Sequence, residues 1–491
     1  DMSVGRIFRG GLWLYLNTLA TSLLGYVYWL VISNIAGPTV LGETSTLIGL
    51  GSLVGSAASL GIGIGAQRFL GGGIHGSKWD VGLYFGTLLR LGLLMAGASF
   101  IVCFFLAGAM GFNIVIAMIG AFIAFASIIE GVVSPLPISA LKTNIVMGVN
   151  ITGHLARFAV GVILVLIGLG TVGTTFGYAV KQVIAIICLL IYSLALLRRL
   201  GWRLKFSWKA SMDLMNAGFA QWLPAIISST GSWLGVLFLY GTGGAVETGF
   251  YFVALAIANV VWALPGSVLS LTFPVLSGMS GGRKELSWRC IRLGLAVGSP
   301  LMVLLAVYPM VPLSLMGKAY VEASLILSIL ALTTIPQVIG SGVGSLVYAY
   351  GYYRLVLARG LASNIPLVLL YLWLTPIYGG LGVAYSFLIG TIIGFAATII
   401  IANRIAFHIG WRDVAVAVSI PSLTGLLAHT LELYWLLGSA IILMLSIFGY
   451  TRLGLVERRD LQELSKAILP QTVVQHVYPR LRWLFGLLYG D

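Results

Sequence analysis

Fourteen runs of apolar residues, each long enough to cross a bilayer and joined by short polar turns, dominate this chain. Bilayer hydrocarbon is roughly 30 Å thick and takes about 20 apolar residues per helical span. The runs lie near 11–36, 40–66, 81–107, 112–134, 144–168, 172–197, 216–240, 246–276, 288–310, 321–349, 354–375, 379–402, 413–431 and 434–450, numbered here as spans 1 to 14. With 59% hydrophobic and 9% charged residues, the chain holds more apolar surface than a water-solvated core buries, so lipid is its solvent and an all-α membrane fold is expected. Its 63 glycines suit that class, because small residues let membrane helices approach closely. The run from Gly11 to Ala36 is too long for a signal-peptide core and reads as a retained span.

The net charge of +14 would point to nucleic acid in a soluble protein, but here its distribution tracks topology. Arg68, Lys78, Lys142, Arg198, Arg199, Arg203, Lys205, Lys209, Arg283, Lys284, Arg289, Arg354, Arg404 and Arg412 fall in even-numbered connections, against Lys318 in the odd-numbered ones. The positive-inside rule then puts both termini in the cytoplasm of a cell membrane, and nucleic acid is not an expected partner. Residues 451–491 mix charges with Leu481, Trp483, Leu484 and Phe485 and read as an amphipathic tail on the cytoplasmic leaflet.

Several chemistries drop out. Cys103, Cys188 and Cys290 lie in apolar runs without ligand spacing, so no metal or disulfide is expected. No GxxxxGK[ST] loop occurs, and the short outer loops leave little room for the acidic pairs and acceptor site of a membrane glycosyltransferase or polymerase. The chain reads as a monomeric non-enzyme without a cofactor.

A repeat emerges on shifting the chain by about 204 residues, which lays Glu43-Thr44 over Glu247-Thr248. Two six-span lobes follow, 1–206 and 207–410, with spans 13 and 14 (411–450) and the tail (451–491) appended. Repeats of even span number share an orientation, so a pseudo-twofold along the membrane normal relates them.

Ionisable groups inside lipid are costly and are therefore the functional candidates. In span 5, Asn150, His154 and Arg157 share one helical face, and span 6 sets Tyr178, Lys181 and Gln182 at similar depth. Arg157 and Lys181, with no acid near them in sequence, would attract an anion; the alternative is that both snorkel or meet helix-end carbonyls. Arg90 and Glu130 are expected to neutralise one another between spans 3 and 4. Arg68 and Arg359 stand at the cytoplasmic mouths of spans 2 and 11, to meet an anionic head group or to mark the interface. Glu43 and Glu247, at outer span ends, have three readings: outer gate, cation-coupling site, or helix N-terminal charge favoured by the dipole. Tyr26 in span 1, Gln221 in span 7 and Gln337 in span 10 belong to polar stripes that suit a sugar-lined cavity or plain helix packing. Pro224, Pro265, Pro274 and Pro336 mark expected bends.

Four segments in order, AGPTVLGETSTLIGLGSLVGSAASLGIGIGAQRFLGG, VETGFYFVALAIANVVWALPGSVLSLTFPVLS, LMGKAYVEASLILSIL and PIYGGLGVAYSFLIG, carry a resemblance along most of the chain. It resembles the Wzx-type polysaccharide flippases of the multidrug/oligosaccharidyl-lipid/polysaccharide (MOP) exporter superfamily, with Arg68 on that family's basic position. The resemblance implies twelve to fourteen helices in two lobes around a cationic cavity that moves a polyprenyl-(pyro)phosphate-linked oligosaccharide to the outer leaflet by alternating access, alongside other glycan-assembly membrane proteins. Span 1 has no acid, unlike the cation-coupled multidrug branch, and no arginine, unlike the lipid II flippase branch; both stand as alternatives. Coupling to Na⁺ or H⁺ stays open, with Glu43, Glu247 and His154 as candidates.

Overall fold

The computed structural model describes residues 4–76, 79–278 and 281–457, with the side chains at 4–16, 19, 75–76, 220–221, 228, 267–268, 270–275 and 277–278 outside the description. The amphipathic tail beyond 457 and the Gln221 side chain therefore lie outside the described residues. Every described element is a helix, and 11 helices are long and apolar enough to cross a membrane. Three of these are bent pairs, broken at Gly37 (φ 76°, ψ 176°), Gly244 (φ 77°, ψ −176°) and Gly379 (φ 55°, ψ −131°). Fourteen spans result; Gly37 and Gly244 fall in gaps between expected runs, and Gly379 is the first residue of expected span 12. Only glycine adopts such positive-φ backbone without a Cβ penalty, which is why the turns between these paired spans sit there. Leu94, Phe105, Ile114 and Trp373 are 74%, 69%, 70% and 67% exposed, the outward apolar belt of a multi-pass membrane protein.

Two spans depart from the expected continuous helix. Span 2 stops at Ala58 and resumes as Ile62–Gly76, with positive φ at Leu60 (46°) and Gly61 (67°). A Cβ at Gly61 would lie 2.6 Å from Gly218 O, so this break lets two backbones touch. Span 10 is assembled from Lys318–Ala323, Ser324–Leu332 and Thr334–Ala349. Pro336 supplies no N–H for the carbonyl of Leu332, where the helix ends.

The chain forms two compact units: Asp1–Ala256 with Leu313–Ile326 and Gly360–Gly390, and Ile257–Pro312 with Leu327–Arg359 and Thr391–Asp491. In the first, a core around Phe85, Leu88, Val132 and Leu214 holds spans 2 to 6 to the start of span 7. In the second, Leu295, Val343, Ile401 and Tyr450 join spans 9, 10, 12 and 14.

Within the first unit, spans 2 and 8 cross with reciprocal geometry. A Cβ on Gly42 would fall 1.8 Å from Ala245 O, and one on Gly249 would fall 2.0 Å from Pro38 O. Gly37 to Gly244, Pro38 to Ala245 and Gly42 to Gly249 are each a step of 207 residues. The crossing is thus locally reciprocal at a step of 207 residues, three more than the expected shift of about 204. The fold repeats the small residue and the carbonyl it meets; the Glu-Thr pairs do not superpose.

Candidate functional site

Spans 5 and 6, the helices Thr143–Leu166 and Gly170–Arg199, are drawn together by a seam of small residues. A Cβ on Gly177 would sit 2.8 Å from Gly161 Cα and 3.2 Å from Arg157 O, and one on Gly153 would sit 3.1 Å from Lys181 O. The same seam admits span 1, since a Cβ on Gly161 would sit 2.7 Å from Tyr28 Oη. Glycine spacing in span 5 therefore decides which side chains surround Arg157.

Arg157 is 4% exposed. Its guanidinium carbon stands 4.0 Å from the ring centre of Tyr28, 4.9 Å from that of Trp29 and 4.7 Å from that of Tyr178. Each aromatic face attracts the cation by about 0.5–2 kcal/mol. Such faces accept no conventional hydrogen bond, and among the described residues Arg157 Nε and Nη2 have no hydrogen-bond partner. These two donors lie along one edge of the guanidinium and point in parallel, as a fork for two oxygens of one phosphate or carboxylate. A buried donor without an acceptor costs about 1–3 kcal/mol, so the cage holds the cation while leaving its strongest recognition edge unused.

The neighbours of Arg157 extend the face read from spacing. Asn150 Nδ2 donates to Asn17 Oδ1 at 3.1 Å, and His154, half-buried, lies within electrostatic reach of Arg157 and Lys181. Tyr28 donates to Thr174 O at 3.3 Å, and Trp29 packs edge-on against Phe252 of span 8 with centroids 5.0 Å apart. Sequence reasoning missed Asn17 and Tyr28; their signal was a face of span 1 that pairs with span 5, visible only once the packing partner is known. Tyr26 is half-buried two residues away.

Lys181 corrects two expectations. Its Nζ donates to Glu130 Oε1 at 2.7 Å, with the side chains 17% and 22% exposed, so it is not a cation without an acid. Glu130 is thereby unavailable to Arg90, which is exposed and lies 5.4 Å from the Phe206 ring centre. Gly92 is the residue of span 3 that meets Val132 of span 4, and Arg90, two positions earlier, points about 200° round the helix from it. Gln182 Nε2 lies 3.5 Å from Ile123 O in the same span 4–span 6 contact.

The outer acids are both satisfied. Thr171 donates to Glu43, and the backbone N–H of Gly380 donates to Glu247 Oε1 at 2.7 Å, so each acid sits at the start of its lobe's sixth span. A Cβ on Gly379 would lie 1.9 Å from Glu247 Oε1, a second demand for glycine at that bend. Arg68 is exposed, with its guanidinium carbon 5.9 Å from the ring centre of Phe69.

In the second unit, Gln337 Nε2 donates to Thr333 Oγ1 at 2.9 Å. The Arg359 guanidinium lies in a cradle made by span 10, where a Cβ on Gly340 would meet Nη2 at 2.5 Å and one on Gly344 would meet Nη1 at 2.7 Å. Among the described residues neither Arg157 nor Arg359 has an ion pair, whereas the described acids Glu43, Glu130 and Glu247 inside the spans each accept a hydrogen bond.

No family model and no curated protein matches this chain. Among solved structures it is similar to the lipid II flippase MurJ in an inward closed conformation, at TM-score 0.70 and 14% identity over 89% of this chain and 98% of that one. It is similar also to an inward-facing multidrug resistance MATE family transporter of the MOP superfamily, at TM-score 0.62 and 15% identity over 79% and 94%. The MATE multidrug transporter DinF-BH in complex with R6G matches at TM-score 0.56 and 17% identity over 83% and 96%. The chain shares its fold with these three solved proteins.

Proposed function

We propose that this chain is a lipid flippase, not an enzyme, and that its cargo is a polyprenyl-phosphate- or pyrophosphate-linked oligosaccharide carried from the cytoplasmic to the outer leaflet. The observation that carries this reading is the buried, caged Arg157, which among the described residues has no counter-ion and no hydrogen-bond partner at Nε or Nη2. A phosphate supplies the two acceptor oxygens the fork lacks, and charge-assisted hydrogen bonds contribute about 1.5–3 kcal/mol each.

The remaining candidates take supporting roles. Lys181 is held by Glu130 in this conformation, so Arg157 makes the first contact with phosphate and Lys181 the second, as Glu130 is displaced. His154, Asn150 and the aromatic faces of span 1 line the path of the sugar. Arg68 and Arg359 meet the head group at the basic-loop side, and the polyprenyl tail stays in lipid. Trp29, packed on Phe252, ties the cage to span 8, so separating the lobes opens it.

Export of cationic drugs calls for an acid inside the spans that is available to the cargo, whereas Glu43, Glu130 and Glu247 are each engaged by a hydrogen bond. The test is reconstitution in liposomes with two cargoes, a labelled polyprenyl-pyrophosphate oligosaccharide and a cationic dye. Translocation of the labelled lipid alone supports the proposal. Translocation of the dye alone overturns it, and lipid II in place of the oligosaccharide separates the two phosphate-bearing classes.

A further inference from the structure

The seam between spans 1 and 5 holds a second polar element besides the arginine fork. Asn150 precedes Arg157 by seven residues, about two helical turns and about 10 Å along the axis, and shares its face. Its Nδ2 donates to Asn17 Oδ1 at 3.1 Å, and neither amide makes another side-chain hydrogen bond among the described residues. Two carboxamides joined by one such bond keep a free donor on one and a free acceptor on the other. Here these are the Asn17 NH2 and the Asn150 carbonyl oxygen. Turning both amides over exchanges the roles and still leaves one of each. Both residues are half-buried rather than sealed between the helices.

Span 1 carries this face on to the cage. Asn17, Thr21, Gly25 and Tyr28 follow at intervals of four, four and three, the helical row that meets span 5. Tyr28 closes on Arg157 at 4.0 Å and Asn17 on Asn150, so Gly25 lies between two contacts. A Cβ on Gly25 would meet nothing within 4 Å among the described residues, whereas one on Gly161, opposite Tyr28, would lie 2.7 Å from it. The seam is therefore closed at the cage and open one turn before it. An amide pair that only joins membrane helices contributes about 0.6 kcal/mol and is best enclosed. This one stands beside a gap, with a donor and an acceptor to spare.

Spacing supplies the chemical class. About 10 Å from a phosphate held by the Arg157 fork lies the ring of a sugar joined to it directly or through a second phosphate. Neighbouring ring hydroxyls present an acceptor and a donor side by side, the complement of the free amide groups. A lipid carrier without its sugar has neither at that depth.

We infer, on the flippase reading above, that the Asn17–Asn150 pair tells a sugar-loaded lipid carrier from an unloaded one. Asn17 donates to one ring hydroxyl, and the neighbouring hydroxyl donates to Asn150 Oδ1. Arg157 cannot make this distinction, because it meets the same phosphate in both lipids. Asn17 and Asn150 determine specificity, and Arg157 supplies affinity common to loaded and unloaded carrier.

The test uses the full-length protein in detergent, native mass spectrometry and two lipids of equal charge. One is a polyprenyl diphosphate esterified to a single hexose, the other the same diphosphate as its methyl ester. Wild type should bind the hexosyl lipid about tenfold more tightly, as expected for one or two hydrogen bonds. Asn17→Leu/Asn150→Leu replaces both partners by apolar groups of similar size and should bind the two lipids equally, at the wild-type affinity for the methyl ester. Either single leucine variant should reduce the ratio to about threefold, which keeps the question answerable if the double variant fails to fold.

No preference in wild type overturns the inference, and that comparison needs no variant. An unchanged preference in the folded variants overturns it too, as does an equal loss of both lipids, which would reduce the pair to a helix joint. Arg157→Gln separates this from the flippase reading: it should weaken both lipids alike and keep their ratio. If Arg157→Gln changes neither, the phosphate reading fails; if it weakens both while wild type shows no preference, only the role of the amide pair fails.

Discussion

Lys181 Nζ lies 2.7 Å from Glu130 Oε1, joining spans 4 and 6 a short distance from an arginine that has no such partner. Removing one member of a buried pair leaves an uncompensated charge in a low-dielectric setting. Glu130→Gln should therefore lower stability by about 2 kcal/mol, less than a fully buried pair because both side chains keep some exposure. Glu130→Gln/Lys181→Met should recover most of that loss. Thermal unfolding of the purified variants checks this: equal midpoints for the single and double variants would mean the pair contributes nothing.

The span 2–span 8 crossing gives a symmetric expectation. Gly42→Ala and Gly249→Ala each place a methyl within 2.0 Å of a carbonyl on the other helix, and neither backbone yields easily. Both variants should prop the crossing open to the same degree. Thr248, fully buried beside it, becomes reactive when replaced by Cys in a cysteine-free background and challenged with a membrane-impermeant maleimide. Labelling that rises in only one of the two glycine variants would break the proposed equivalence.

Glu43 and Glu247 were open as gate or coupling sites from sequence; their hydrogen bonds at helix starts favour a local role. Each is worth about 1 kcal/mol or less as a helix N-terminal charge. Glu43→Gln and Glu247→Gln should change translocation rates by less than about twofold, at any imposed Na⁺ or H⁺ gradient. Loss of gradient-driven transport in either variant would instead assign it to coupling.

Asp80, outside the spans, caps the helix Val81–Ala109. Partial burial raises its pKa, but the hydrogen bonds from Lys205 and from the Leu83 and Gly82 N–H groups outweigh this and hold it below the ordinary 3.8. A carboxylate with a lowered folded pKa contributes stability above its unfolded pKa and loses it as pH falls through the folded value. Wild type should thus lose thermal stability below about pH 4 more steeply than Asp80→Asn, and parallel curves would remove Asp80 from the account.

Much of this architecture was legible in the chain because lipid imposes one requirement on every segment. The gaps at 37–39, 241–245 and 376–378 marked where the backbone turns, and the turns fall on or next to those gaps, at Gly37, Gly244 and Gly379. The breaks at Gly61 and Thr333 lay inside unbroken apolar sequence, where hydropathy carries no trace of a backbone contact or a missing donor. The face of Asn150, His154 and Arg157 followed from helical spacing alone. The partners Tyr28, Asn17 and Glu130 did not, because they depend on which spans pack together and at what rotation. The glutamates at 43 and 247 misled the repeat register, since identical residues in apolar sequence align by chance more readily than close backbone contacts do.

The central claim is that Arg157 recognises phosphate through its Nε/Nη2 fork, and the initial rate of labelled polyprenyl-pyrophosphate oligosaccharide translocation in liposomes tests it directly. Lysine keeps the charge and a cation–π partner but cannot form the fork. The account predicts that Arg157→Lys and Arg157→Gln both fall by about 10- to 100-fold while remaining folded, as expected on losing one charge-assisted contact. Wild-type rates in Arg157→Lys would contradict it, reducing Arg157 to a cation held by its aromatic cage.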